Sequence, residues 1–190
     1  MADTKRVIVG ISGASGTPLA AHLLKTLRDM GGFEVHLVAT EGAKITASHE
    51  WAGSFEELTS LAHVYHSNES IGDSIASGTF RTAGMVVVPC SMKTVAGIAS
   101  GYSDNLLLRA ADVCVKEKRP LVLATREAPL SPIHLRNMST LAQLPNVHIV
   151  PPVLSYYIKP ESIEDMEHHI VAKLLAPLDI DVTGYRRWGE

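Results

Sequence analysis

Arg6-Val7-Ile8-Val9-Gly10-Ile11-Ser12-Gly13-Ala14-Ser15-Gly16 is an apolar run ending in closely spaced glycines, and Thr17 to Met30 continues it with helical period. A short run whose side chains are apolar on both sides reads as a strand buried on both faces, and glycines let the chain turn sharply into the next helix. The pattern recurs along the chain. Strands are expected at Arg6 to Ile11, Glu34 to Ala39, Met85 to Pro89, Pro120 to Thr125 and Val147 to Pro151. Helices are expected at Thr17 to Met30, Asp104 to Glu117, Ser131 to Leu144 and Pro160 to Leu175, with shorter ones near Ala43 to Glu50 and Phe55 to Ala62. This alternation implies an α/β fold, a parallel sheet with helices on both faces. Four strands are nearly continuous apolar runs; Glu34-Val35-His36-Leu37-Val38 alternates, which places it nearer an edge. Asp104 and Ser131 are candidate N-caps, the latter followed by Pro132 at the first helical position. Ile163, Met166, Ile170, Val171 and Leu174 form the stripe by which the last helix packs on the sheet.

A length of 190 residues suits one domain. With 46% hydrophobic and 19% charged residues the chain is not disordered and has material for a sizeable core. Aromatic residues are few (Phe 3, Tyr 5, Trp 2), so Val, Ile, Leu and Ala must build that core, and a flat ligand cannot be held mostly by stacking. A net charge of -3 gives no polyanion-binding surface, so nucleic acid is not an expected partner. Cys90 and Cys114 lie in apolar runs and make no disulfide framework, and Met1 to Gly10 lacks the apolar centre of a signal peptide. The longest segment free of Asp, Glu, Lys and Arg, residues 137–158, is broken by Pro145, Pro151 and Pro152. A cytoplasmic protein without a membrane span is the expectation.

Four places can carry chemistry. Gly10 to Gly16 has the spacing G-x-x-G-x-x-G, which is neither the dinucleotide nor the P-loop pattern; it reads either as a tight packing turn or as an anion site at a helix N-terminus. Pro89-Cys90-Ser91-Met92-Lys93-Thr94 places two hydroxyls and a lysine at a helix start after the third strand, again suited to an anion. Cys90 there is either an activated thiol or a small packed residue. On the helix from Asp104, Arg109, Asp112 and Lys116 share a face, as a solvated ion-pair ladder or as the wall of a site. Arg126-Glu127 ends the fourth strand, where the arginine can clamp an anion and a buried glutamate can carry a proton, or the two can form a surface pair. Among nine histidines, His63 and His66 alone have ligand-like helical spacing, and His168 and His169 diverge on a helix, so no metal is expected.

Together with Ser77-Gly78-Thr79-Phe80, Arg109-Ala110-Ala111-Asp112-Val113, the Lys116 to Leu123 run, Arg126 to Ser131, Ile133 to Met138 and Arg186-Arg187-Trp188-Gly189, these segments resemble the UbiX-type flavin prenyltransferases, a family that includes proteins classed as small subunits of phenolic and hydroxyaryl acid decarboxylases. The resemblance spans nearly the whole chain. It implies a three-layer, flavodoxin-like Rossmann domain over residues 1–176 that binds FMN, a tail 177–190 packing on a neighbouring subunit, and a homododecamer. It implies transfer of a dimethylallyl group from dimethylallyl phosphate to N5 and C6 of reduced FMN, for a UbiD-type aromatic acid decarboxylase. FMN contacts are implied for Gly13, Ala14, Ser15, Thr40, Ser91, Met92, Lys93, Thr94 and Arg126. The prenyl phosphate is implied to meet Lys116, Arg126, Tyr157 and Lys173 with Arg109 nearby, Tyr156 competing with Tyr157. Ser15 and Glu127 are implied to handle protons and Glu50 to lie near the reacting carbons.

The chain departs from the family pattern in carrying Ser155-Tyr156-Tyr157 for Ala-Phe-Tyr, Lys173 for an arginine and Thr40-Glu41 for Ser-Lys. The rival readings are an FMN-binding protein that takes part directly in phenolic acid decarboxylation with a larger partner, a cysteine decarboxylase of related fold, for which His22 sits too far along its helix, and a non-catalytic flavin carrier. Trp51, Tyr156, Tyr157 and Trp188 are the candidate aromatic walls, some of them expected to reach across into a neighbouring chain.

Overall fold

The computed structural model describes residues 4–189. Its six strands, β1 (Lys5–Ile11), β2 (Phe33–Ala39), β3 (Val64–Ser67), β4 (Gly84–Cys90), β5 (Leu121–Thr125) and β6 (Val147–Ile149), form one parallel sheet in the order β3-β2-β1-β4-β5-β6. Without the short β3, the remaining five follow the flavodoxin-like order 2-1-3-4-5. The order reverses between β1 and β4, so the chain leaves these neighbouring strands in opposite directions and opens a crevice at their carboxyl ends.

Seven helices cover the two faces. On one, α1 (Thr17–Met30), α2 (Glu41–Glu50), α3 (Phe55–Thr59) and α7 (Ile163–Leu175) pack on Val7, Val9 and Ile11; on the other, α4 (Met92–Ala99), α5 (Leu106–Lys116) and α6 (Pro132–Ala142) pack on Ile8, Met85 and Val87. Successive residues of β1 thus feed opposite cores, which is why the run has no polar face. Leu23, Leu24 and Leu27 of α1 and Leu106 and Leu107 of α5 are fully buried.

Ser131 caps α6 as expected, with His134 completing a reciprocal box. The cap of α5 is Asn105 rather than Asp104: its side chain accepts the Leu108 N–H at 3.0 Å, while Asp104 accepts from the Asn105 amide. β2 is not an edge strand. β3, too short and polar to be legible in the sequence, pairs with its outer side, and residues Val35 to Ala39 are buried. His63 and His66 lie at this added strand instead of on a helix.

Candidate functional site at the carboxyl edge

Ser12 joins the two turns that the sequence singled out. Its N–H and its hydroxyl both donate to the Pro89 carbonyl, at 3.2 and 2.8 Å, and its Oγ accepts the Ser91 N–H at 2.7 Å. Ser12 is 1% exposed, so these bonds cross the switch point inside the protein. Outward on either side, Thr40 N–H donates to Ile11 and Arg126 N–H to Cys90. The ends of β2, β1, β4 and β5 therefore place Thr40, the glycine turn, the Ser91 turn and Arg126 in one row. Sequence reasoning missed Ser12 as the bridge, although it is the first hydroxyl of the glycine turn.

The glycine turn is explained mostly by packing. A Cβ on Gly13 would stand 3.0 Å from the Gly42 backbone, so the turn and the start of α2 touch main chain to main chain. Gly16 has φ of 133°, which an L side chain rarely adopts. The first turn of α1 does take an anion, but from the chain itself: Glu50 Oε2 accepts the Gly16 and Thr17 N–H groups at 2.8 and 2.9 Å. Burial pushes the Glu50 carboxyl up, yet hydrogen bonds from Ser15, Gly16 and Thr17 together outweigh it and hold the group below the usual carboxylate range. Ser15 and Glu50, 35 residues apart in sequence, are thereby neighbours.

The first turn of α4 is the open anion site. Ser91 caps the helix by accepting the Thr94 N–H, the Ser91 and Thr94 hydroxyls lie 3.2 Å apart, Met92 is buried and Lys93 is exposed. Thr40 caps α2 in the same way through the Ala43 N–H. Cys90 is completely buried and its thiol is pushed up by burial, which makes it a packed residue with no thiolate to offer. Arg126 and Glu127 are both exposed, with Glu127 Oε1 accepting the Ala128 N–H at 3.0 Å. The burial expected of a proton-carrying Glu127 is not supplied by one chain.

Lys116 belongs to the other edge. It ends α5 five residues before β5 begins, pairs with Glu117, and lies against Gly78, which precedes β4. Arg109, one turn into α5, pairs with Asp112 at 2.5 Å and donates from Nε to the Ala76 carbonyl at 3.2 Å. Tyr157 and Lys173 form a further cluster on α7: Tyr157 Oη contacts His169 Nε2 at 3.2 Å, and Lys173 is held by Tyr185, whose hydrogen bond raises its pKa. Tyr156 is 72% exposed and projects away, whereas Tyr157 packs edge-on against Trp188.

The tail packs on its own chain more than expected: Leu178, Ile180 and Val182 are core residues, and Arg186 donates to the Ile158 carbonyl. Residue 176 is thus no boundary within this chain. Trp188 remains exposed at 79%, and Trp51 is half-buried in its own core beneath Lys25.

Residues 1–175 match the flavoprotein family. Over 183 residues the chain is 46% identical to a probable UbiX-like flavin prenyltransferase of Sedimentibacter hydroxybenzoicus, covering 96% of each chain. The chain belongs to the UbiX-like flavin prenyltransferase family. A second member, flavin prenyltransferase LpdB of Lactiplantibacillus plantarum, is 48% identical over 97% of this chain and 98% of its own. Among solved structures of the family, that of a dodecameric FMN-dependent UbiX-like decarboxylase from Escherichia coli O157:H7 superposes with a TM-score of 0.93 at 46% identity, over 97% of this chain and all of that one. AnUbiX (PadA1), solved with FMN and dimethylallyl pyrophosphate, gives 0.94 at 41% identity over 98% of both chains. The flavodoxin-like fold expected from the sequence is the fold of these UbiX structures. No helix among the described residues is long and apolar enough to cross a membrane, and no three metal-ligating side chains converge among them.

Proposed function

We propose that the chain is a flavin prenyltransferase that moves a dimethylallyl group from dimethylallyl phosphate to N5 and C6 of reduced FMN. The observation that carries this reading is the meeting of Ser15 and Glu50 at the first turn of α1, beside the α4 hydroxyls, in a chain that matches flavin prenyltransferases along nearly its whole length. The donor set fits a flavin mononucleotide. Hydroxyls of Thr40, Ser91 and Thr94, the first-turn amides of α4 and the cations Lys93 and Arg126 suit a phosphate monoester, and the first turn of α1 is excluded because Glu50 fills it. Gly13, Ala14, Ser15 and Met92 would line the remainder of the ligand. When bound and reduced, FMN supplies the electron-rich ring that accepts the prenyl group.

The side chains then have separable tasks. Glu50, ionised and already accepting two backbone N–H groups, is a fixed acceptor that orients the Ser15 hydroxyl instead of a mobile acid. Ser15 and Glu127 hold the exchanged protons. Arg126, Lys116, Arg109 and Lys173, with the Tyr157 hydroxyl, balance the charge that grows on the departing phosphate. Lys116 and Arg126 end at opposite edges of one sheet, so a single chain cannot bring both to one phosphate. A second copy of the chain supplies the missing partner and buries Glu127. The single chain exposes 9797 Å², against roughly 8,900 Å² for a monomer of this mass, which supports an assembly such as a dodecamer. The product serves a UbiD-type aromatic acid decarboxylase.

Anaerobic incubation of the pure protein with reduced FMN and dimethylallyl phosphate tests the reading. A flavin heavier by one dimethylallyl unit is expected by mass spectrometry, and recovery of FMN alone would sink it. Running the diphosphate in parallel identifies the donor.

A further inference from the structure

The alternation in β2 has no edge to explain it, and its polar residues are inside. His36 on β2 and His66 on β3 are 3% and 4% exposed, with rings inclined by 20° and centroids 5.2 Å apart. They stand in one row between two carboxylates: Glu34 Oε1 lies 3.2 Å from His36 Nε2, His36 Nδ1 lies 2.9 Å from His66 Nε2, and His66 Nδ1 lies 2.7 Å from Asp73 Oδ2.

Counting protons decides what this row is. An ionised carboxylate only accepts, so His36 Nε2 and His66 Nδ1 each carry a hydrogen. Both carboxyls are held below their usual range: burial opposes this at Glu34, but Arg6 and His36 outweigh it, and at Asp73 the His66 ring acts first and the Ser74 N–H second. The two inner nitrogens, 2.9 Å apart, then need one proton between them. With none, two lone pairs face each other; with two, two N–H groups do. The pair therefore holds three hydrogens and one positive charge, and it titrates as a unit. Burial pushes His36 down and the adjoining His66 pushes it further, against the pull of Glu34, so a second imidazolium is disfavoured.

The surroundings carry this charge toward the proposed site. Arg6 of β1 pairs with Glu34 at 3.1 Å and covers Phe80, whose ring meets His36 edge-on; His63 is engaged by the Val35 N–H. Residues 68–80 run as a strap along α5 from its first turn to its end. Asn68 takes the Leu106 and Leu107 N–H groups, the Ala76 carbonyl takes Arg109 Nε, and the Gly78 and Phe80 carbonyls take Arg119. Asp73 is the point where the strap is tied to the histidines, immediately before the 3-10 turn Ser74–Ala76.

We propose that His36 and His66 share one buried proton and act as positioning residues, holding the strap and through the Ala76 carbonyl orienting Arg109 toward the prenyl phosphate. The part that concerns the phosphate rests on the prenyltransferase reading. Raising the pH removes the shared proton and lowering it adds a fourth hydrogen; either change breaks the inner link and frees the strap. The orientation of Arg109 is confined to the window between.

Solid-state NMR of the assembled FMN-bound protein, labelled with ¹⁵N at histidine and arginine, tests the proton count directly. At neutral pH it should show one protonated ring hydrogen-bonded to one neutral ring, with the Arg109 Nε resonance moving at the same midpoint as the pair. Two neutral rings, two protonated rings or an Arg109 signal indifferent to the titration overturns the proposal. Asp73→Asn removes an attracting charge at the rim of the row, so the pair should lose its proton roughly one pH unit lower. Above that new midpoint the KM for dimethylallyl phosphate should rise about three- to tenfold with kcat nearly unchanged; an unaltered midpoint or KM also overturns it. If the wild type shows no turnover, the prenyltransferase reading falls, while the spectra still decide the shared proton.

Discussion

Glu50 shows how one side chain can change the meaning of a motif. The glycine turn and the start of α1 look from the sequence like a site for a bound anion, and in the fold that place is taken by a carboxylate from the end of α2. Its pKa is depressed on folding, so its contribution to stability is complete above the unfolded value of 4.5 and is lost as pH falls through the lower folded value. Glu50→Gln should cost about 1 kcal/mol at neutral pH, with the gap between variant and wild type closing near pH 3 in urea titrations, and it should abolish prenyl transfer by releasing Ser15. Cys90 and Cys114 invite a second measurement. Burial raises both thiols, that of Cys114 to about 12. Neither should react with a thiol reagent until the protein is unfolded, when both should; labelling of the native protein would show that the core opens.

At the scale of elements, α5 does two jobs that its sequence pattern displays together. Its apolar residues Leu106, Leu107, Ala110, Val113 and Cys114 are buried, and Arg109, Asp112 and Lys116 line the opposite stripe. Leu107→Ala should cost about 2–5 kcal/mol by leaving a cavity against the sheet, visible in thermal unfolding. Ser131→Ala removes the reciprocal cap of α6 and should cost about 1 kcal/mol, measurable by the same scan with the prenyl transfer rate retained. A comparable loss of activity would mean that α6 helps to place Arg126. The stripe of α5 is neither the simple solvated ladder nor a free wall: Arg109 is committed to Asp112 and to the strap, and Lys116 to Glu117.

At the scale of the molecule, the charged groups assigned to one phosphate are dispersed over two edges of a sheet and over the α7 cluster. Lys116→Ala and Arg126→Ala should each be inactive alone. Unfolded together and reassembled, they should recover measurable activity, because mixed assemblies contain sites in which both side chains survive. No recovery would confine the site to one chain. Exposed Val153, Tyr156, Ile163 and Trp188 are the apolar surface through which such an assembly can be built.

The sequence by itself determined what depends on local pattern. The apolar run into glycines at Arg6 to Gly16, the strand and helix alternation and the Ser131-Pro132 cap were legible because burial on both faces and capping leave a periodic mark. Ser15, Thr40, Glu50, Ser91 to Thr94 and Arg126 were legible as a set only through their resemblance to a family, since their spacings carry no common pattern. Tertiary structure alone decided the rest. β3 is four residues of mixed polarity whose hydrogen bonds come from β2, so no local period announces it. Ser12 bridging two turns 77 residues apart, Glu50 closing the end of α1, and His36 facing His66 between two carboxylates are contacts between segments that the chain brings together only when the sheet assembles. Their chemistry resides in distances of about three ångströms, and sequence separation contains no record of those.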